Sequence, residues 1–180
     1  MLNIAASKKK KISNKLKINF KKLDILKQEV EFEKKFDAIF LFFHVFSYFL
    51  SNKDLNFFFK QCHNNLSNNG LIILDFWNKA SVEKLKLKNF FKKFKLKKNI
   101  FFREIKLLRK NKSIVEMRLS ILNHKKKTLF NEVHKMRYFS KFEIENYAKK
   151  YFKVVGSYEY LKLKKISNSN WTGVLVLKKK

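Results

Sequence analysis

Few side chains in this sequence are of a type and spacing that could do chemistry. The four histidines (His44, His63, His124, His134) and the single cysteine, Cys62, show no C-x-x-C or H-x-x-x-H spacing, so no metal site is indicated. A G-x-S-x-G nucleophile motif is absent as well. What remains is proton transfer and hydrogen bonding from residues at the ends of apolar runs. Asp24 and Ile25 close a short strand-like stretch, Lys17 to Ile25, while Phe43 and His44 follow one apolar run and Asp75 and Trp77 leave another. In a doubly wound sheet, strand ends of this kind are where ligands bind. His134 shares one face of a strand with Glu132, Met136 and Tyr138, because side chains repeat every second residue. Each residue also has a structural reading: Asp24 as a turn acid, His44 as a buried and hydrogen-bonded histidine, Trp77 as packing.

The elements that must position these residues are clearest mid-chain. Phe36 to Phe49 is an almost wholly apolar run. It is followed by a helix whose start is marked by Ser51 with Asp54 three residues on, and whose face carries Leu55, Phe58, Phe59, Cys62 and Leu66. Asn69 and Gly70 supply a left-handed stop before the second run, Leu71 to Trp77. Apolar strands that do not alternate are covered on both faces, so the unit reads as parallel βαβ.

Around it, residues 2 to 16 read as a helix carrying a lysine run, and Lys17 to Ile25 as a short strand ending at Asp24. Ser81 to Lys98 reads as a basic helix with Leu85, Leu87, Phe90, Phe91 and Phe94 as its apolar set. Three antiparallel strands follow within residues 99–139; Val115, Met117, Leu119 and Ile121 alternate cleanly with polar neighbours. Ser140 with Glu143 opens a second capped helix, and Lys153 to Leu161 and Thr172 to Leu177 are the last two strands.

The 180 residues, 46% hydrophobic with 21 Phe, suffice for one domain with a sizeable core. The formal charge of +29 points to nucleic acid or an anionic membrane surface. A bias toward A/T-rich codons explains the same charge, since Lys, Asn, Ile and Phe abound while Pro is absent and Arg is found only at 103, 109, 118 and 137. One cysteine fits a reducing compartment. The longest apolar run, Ala38 to Leu50, is too short for a membrane helix, and no signal peptide precedes it, so a soluble cytoplasmic protein without a membrane partner is expected.

The order of these parts resembles the class I S-adenosylmethionine-dependent methyltransferases, in the small-molecule and sugar branch that carries an antiparallel insert. The strings that carry the resemblance are MLNIA (Met1 to Ala5), KKLDI (Lys21 to Ile25), the Phe36 to Phe49 run, NNGLIILDFW (Asn68 to Trp77) and the segment from Glu132 to Val155. It implies an α/β fold: a truncated Rossmann-like methyltransferase sheet, strands 3 to 7, with a three-stranded insert at 99–139 inside a single partial domain of residues 1–180. It also implies S-adenosyl-L-methionine as cofactor and a small-molecule methyl acceptor. Asp24, Ile25, Phe43 and His44 become cofactor contacts, Asp75, Trp77 and Tyr138 substrate contacts, and His134 the catalytic base.

The departure from the family is equally specific. Its first strand, Gly-rich turn and second strand with a terminal acid are missing, roughly 50 to 60 residues by the size of two βα units. Gly70, Gly156 and Gly173 are isolated and form no G-x-G turn. The chain is therefore expected to be a C-terminal portion whose own activity is in doubt, with a separate polypeptide or an upstream segment supplying the first half. Loss of those strands leaves Ala38 to Phe43 as a long apolar sheet edge unless strand 3 or another polypeptide covers it, so the isolated chain is expected to be poorly soluble or to associate. The alternative, of a different class, is a non-catalytic basic protein binding nucleic acid by charge.

Overall fold

The computed structural model describes residues 2–12 and 17–180. Its contacts divide the chain into two compact units, Met1–Val30 and Glu31–Lys180. The first holds α1 (Leu2–Ile12); residues 13–16 of the expected helix lie outside the described residues. The strand expected over 17–25 is not formed. Asp24 instead closes a turn, its Oδ1 accepting from the Leu26 N–H at 3.1 Å and its carbonyl from the Lys27 N–H at 3.2 Å. A lone strand has no partner for its backbone groups, so this local bonding wins.

The second unit opens with the expected βαβ. β1 (Phe36–Leu41) lies parallel to β2 (Leu66–Trp77), with Ala38 opposite Leu71 and Leu41 opposite Leu74. Between them, α2 (Asn52–Asn65) begins in a full capping box: the Ser51 hydroxyl accepts from the Asp54 N–H, and the Asp54 carboxylate from the Ser51 N–H. Leu55, Phe58, Phe59 and Cys62 form its buried face. Both ends of the unit differ from expectation. β1 stops at Leu41 because Phe43 and His44 take left-handed backbone angles, and a 3₁₀ turn, Val45–Tyr48, follows. The helix ends at Asn65, not at Gly70; only Asn69 is left-handed, and it sits in the irregular start of β2.

The first sheet has the order β1-β2-β8-β7, with β7 (Phe152–Glu159) and β8 (Thr172–Lys179) antiparallel to their neighbours. Strand alternation places Leu41, Ile72, Leu74, Phe76, Leu175 and Leu177 on one face, all buried. α2 and α4 (Lys141–Ala148) cover that face, and Phe46, Phe59, Ile144 and Phe152 fill the core beneath them. Ser140 caps α4 as expected. The Glu143 carboxylate turns to Arg137 at 2.5 Å instead of closing a capping box.

The second sheet is where the expected elements change. It has four strands in the order β3-β4-β5-β6, where three were expected. The basic stretch 81–98 is not one helix: α3 (Lys79–Leu85) is short, and β3 (Phe90–Leu96) pairs antiparallel with β4 (Asn99–Asn111). Lys97, left-handed, turns the hairpin, and Phe91 stacks on Phe102 and Phe94 on Phe101 across it. Cross-strand aromatic pairs outweigh the weak helical spacing of the same phenylalanines. β5 (Ile114–Leu122) and β6 (Thr128–Arg137) complete the sheet. The sheets meet at Asn78, where the Phe139 N–H donates to the Trp77 carbonyl and the Lys79 N–H to the Phe139 carbonyl.

Among the described residues β1 is hydrogen bonded to a strand on one side only, and Phe40 on it is 58% exposed. At micromolar concentration the chain should sediment as associated species and the Phe40→Lys variant as smaller ones, since a charge on an edge blocks pairing; a monomeric parent chain would refute this. In urea unfolding, Phe59→Ala should cost about 3 to 5 kcal/mol and Ser51→Ala about 1 kcal/mol.

Candidate active site

The parallel pairing of β1 and β2 brings their C-terminal tips side by side, and one carboxylate joins them. Asp75, fully buried one residue past Leu74, accepts the Phe43 N–H on Oδ2 at 2.9 Å and the His44 N–H on Oδ1 at 2.8 Å. Those two residues hold φ of 61° and 64°, which side chains other than glycine adopt at a cost. A buried acceptor bonding two successive N–H groups offsets that cost. The corner is thereby fixed. It leaves the Phe43 ring 81% exposed and turns the His44 imidazole inward, edge-on to Trp77 at 5.8 Å.

His44 Nδ1 is buried with no hydrogen-bond partner, 3.9 Å from Asp75 Oδ1. Burial lowers the His44 pKa below the ordinary histidine value, and the nearby Asp75 charge opposes this only in part. The shift favours the neutral imidazole over the charged one. Behind it Trp77 packs edge-on against Trp171 at 5.6 Å, its own indole N–H also unpartnered.

A second group lies one turn further on. Tyr48, at the end of the 3₁₀ turn, bonds through Oη to His134 Nδ1 of β6 at 2.8 Å, and His134 Nε2 lies 3.4 Å from Glu132 Oε2. Burial, and then the charge of Glu132, raise the Tyr48 phenol above its usual value. Arg137 ties β6 to the same stretch of chain: it donates to the Leu50 carbonyl at 3.1 Å and to Asn52 Oδ1 at 3.0 Å, and lies over the Phe139 ring.

No protein-family model matches the chain, and no curated protein does. Solved structures do. A methyltransferase dependent on S-adenosylmethionine from Clostridium acetobutylicum superposes with a TM-score of 0.79 at 21% identity, over 98% of this chain and 70% of its own. The CcbJ methyltransferase of Streptomyces caelestis gives 0.65 at 15% identity, over 88% and 64%. An amino pentose methyltransferase from Micromonospora echinaspora, solved with its cofactor bound, gives 0.61 at 13%, over 84% and 61%. The fold is that of a class I methyltransferase. The chain spans less than two thirds of the length of the last two.

Within this methyltransferase fold, the structure gathers Phe43, His44, Asp75 and Trp77 into one corner and joins His134 to Tyr48. Asp75 and Trp77 are buried, so they shape the corner from behind. Tyr138 is fully buried too, its hydroxyl donating to the Lys112 carbonyl at 2.6 Å, which places it in the core with Val82, Val115 and Met136. Asp24 and Ile25 belong to the N-terminal unit, where Asp24 also pairs with Lys27 at 3.5 Å. Sequence reasoning missed Tyr48 and Arg137. Arg137 carried a weak signal, as one of only four arginines in a lysine-rich chain. A cavity of about 830 Å³ beside β7 and α4 contains none of these groups. Among the described residues no cluster of three His, Cys, Asp or Glu could hold a metal, and no helix is long and apolar enough to cross a membrane.

Asp75→Asn keeps one acceptor but sets an amide against the second N–H, so it should cost about 2 to 3 kcal/mol in urea unfolding. The depressed His44 pKa has a defined sign. Above the unfolded value of 6.5 both states are neutral, and as pH falls below it the unfolded chain binds the proton first, so stability declines. His44→Asn tolerates the left-handed backbone and carries no proton, so it should flatten the loss measured between pH ~7.5 and ~5.5.

Proposed function

We propose that residues 1–180 are a single partial methyltransferase domain, with 99–139, joined by the preceding strand β3, an antiparallel insert within it. It would serve methyl transfer from S-adenosyl-L-methionine to an amino or hydroxyl group of a small molecule, with a sugar as the leading acceptor class. The observation that carries this is the buried Asp75 carboxylate locking the left-handed Phe43–His44 corner at the tips of two parallel strands. The superposed structures support the acceptor class, since one is an amino pentose methyltransferase and another a sugar N-methyltransferase.

The residues present fit one side of such a donor. Phe43 offers an exposed aromatic surface, and the half-buried His44 imidazole backs the corner beside it, its Nδ1 turned in toward Asp75. The glycines offer no further cradle. A Cβ would meet Leu66 at 2.9 Å on Gly70, Tyr158 at 2.5 Å on Gly156 and Ile166 at 2.2 Å on Gly173, so the protein's own side chains already close over each backbone. For Asp24 and Ile25, which belong to the other compact unit, a cofactor role rests on the family resemblance alone. When bound, the sulfonium donor supplies an already activated methyl group. The protein's tasks are then to align the acceptor, exclude water and take up a proton. We assign Phe43 and His44 to the donor side, Asp75, Trp77 and Tyr138 to shaping the acceptor side from behind, and His134 to the proton. The cradle itself would come from further polypeptide, upstream in the same protein or separate from it.

Isothermal titration tests the reading. The 180 residues alone should bind S-adenosylmethionine more weakly than micromolar, and addition of a polypeptide bearing the opening strands and Gly-rich turn should restore binding that Asp75→Asn weakens. Restored binding untouched by Asp75→Asn would remove the corner from the site.

One observation favours the second reading, nucleic-acid binding. The phenylalanines of β3 are not all on core faces, as their spacing in a helix would require: Phe91 is exposed and stacked on Phe102, on the sheet face that also carries Lys93, Lys106 and Arg118. Aromatic rings among cations are what single strands stack on. Glu104 and Glu116 neutralise part of that face, pairing with Lys106 and Lys135. Filter binding that falls steeply with salt and weakens in Phe91→Ala would support the second reading; salt-dependent binding indifferent to Phe91 would be charge alone.

A further inference from the structure

Both ring nitrogens of His134 face a neighbour, one in a hydrogen bond and the other at ion-pair distance from a carboxylate. Nδ1 faces the Tyr48 hydroxyl at 2.8 Å and Nε2 faces the Glu132 carboxylate at 3.4 Å. An ionised carboxylate can only accept, so Glu132 favours the tautomer with its proton on Nε2. Nδ1 is then the bare nitrogen, and Tyr48 is the donor to it. With Nδ1 bonded to Tyr48 and Nε2 directed at Glu132, neither nitrogen is the one best placed to meet a substrate directly. Tyr48 does have a free side: its residue is 43% exposed, and its oxygen keeps lone pairs beyond the bond to His134. The 3₁₀ turn that holds Tyr48 begins at the residue after His44, so the Asp75 clamp fixes its start. β6 supplies His134 and Glu132 on one strand face, with Met117 and Leu119 of β5 opposite them. Glu132 is the charged side chain acting on Tyr48, and the 3₁₀ turn contributes none.

We infer that Tyr48, not His134, is the group that meets the methyl acceptor, with His134 storing the proton and Glu132 positioning the imidazole. The inference rests on the methyl-transfer reading and deepens it. As the acceptor nitrogen or oxygen bonds the methyl carbon, the carbon–sulfur bond breaks with its electron pair going to sulfur. The acceptor's proton passes to Tyr48 Oη while the phenolic proton moves to His134 Nδ1. The phenol is regenerated, and an imidazolium is left beside Glu132. A direct bond of 2.8 Å is within the reach such a transfer needs.

The array can be tested apart from the reaction. In the full chain labelled with ¹⁵N at histidine, and assigned with His134→Gln, the His134 proton should sit on Nε2 with Nδ1 hydrogen bonded. Tyr48→Phe should move the Nδ1 resonance toward that of a free imidazole nitrogen, and Glu132→Gln should populate the other tautomer. A proton on Nδ1 in the parent chain, or an Nδ1 signal indifferent to Tyr48→Phe, would overturn the inference. The kinetic arm uses the chain joined by the polypeptide that restores donor binding. There Tyr48→Phe should lower kcat by about 10²-fold or more with KM little changed, and Glu132→Gln should displace the pH profile of kcat. A Tyr48→Phe variant at parental kcat would also refute it. Failure of any such assembly to bind the donor would sink the methyl-transfer reading and leave the spectroscopic result standing.

Discussion

The bond of one buried carboxylate to two consecutive backbone N–H groups is the constraint on which the rest of this structure turns. Asp75 has no exposed surface, and a carboxylate there needs donors. The chain supplies them by bending β1 into two left-handed residues, so that Phe43 and His44 present adjacent N–H groups. Neither feature stands without the other. An unpaired Asp75 would be expensive in an apolar core, and two successive left-handed residues with large side chains would not persist without a compensating interaction. The direction of the chain after β1, and so the position of the 3₁₀ turn and the entry into α2, follows from this mutual need.

A second set of bonds relates the two sheets. β2 runs on through Trp77 and Asn78 to meet Phe139, and the Asn78 side chain donates to the carbonyls of Ser167 and Asn170. Arg137, at the end of β6, reaches Leu50, Asn52 and Glu143, so one guanidinium spans the starts of two helices. Five fixed donors on a planar group suit this task in a way a lysine ammonium does not. Because His134 lies three residues before Arg137 on the same strand, the bonds that seat Arg137 also hold the imidazole against Tyr48. Positioning here is inherited from the frame, with little contribution from the exposed side chains themselves.

What could be read from the sequence was what depends on local chemistry. Ser51 with Asp54, the apolar stripe of α2 and the unbroken apolar runs on either side are patterns that tertiary contacts did not have to override, and the parallel βαβ unit followed from them. The misread elements were decided by distant partners. Phe90, Phe91 and Phe94 fit a helix as well as a strand, and only pairing with β4 chose between them. Residues 17–25 alternate well enough for a strand but lack a neighbouring ladder. At the corner, the types of Phe43, His44 and Asp75 were visible, yet their bonding was not, because two residues separated by about thirty positions meet only once β1 and β2 have paired. Tyr48 was hidden for a similar reason: it fell within an apolar run whose true end was the left-handed turn.

The charge and the open edge of β1 set competing demands. A chain at +29 repels its own copies, but that repulsion is screened beyond about 8 Å at physiological salt. Strand pairing acts at about 4.8 Å, inside the screening length, and needs only that two edges meet in register. β1 itself offers little to prevent it, since its six residues include no lysine, no proline and a single acid, Asp37, already bonded to Ser67. The positive surface therefore slows encounter between copies without abolishing the attraction once they touch. A covering strand from a less basic polypeptide would meet the same edge without the repulsion, so electrostatics favours a heterologous cover over self-pairing. The exposed rings of Phe36 and Phe40 add apolar area that either occupant would remove from water, and charge is what separates the two.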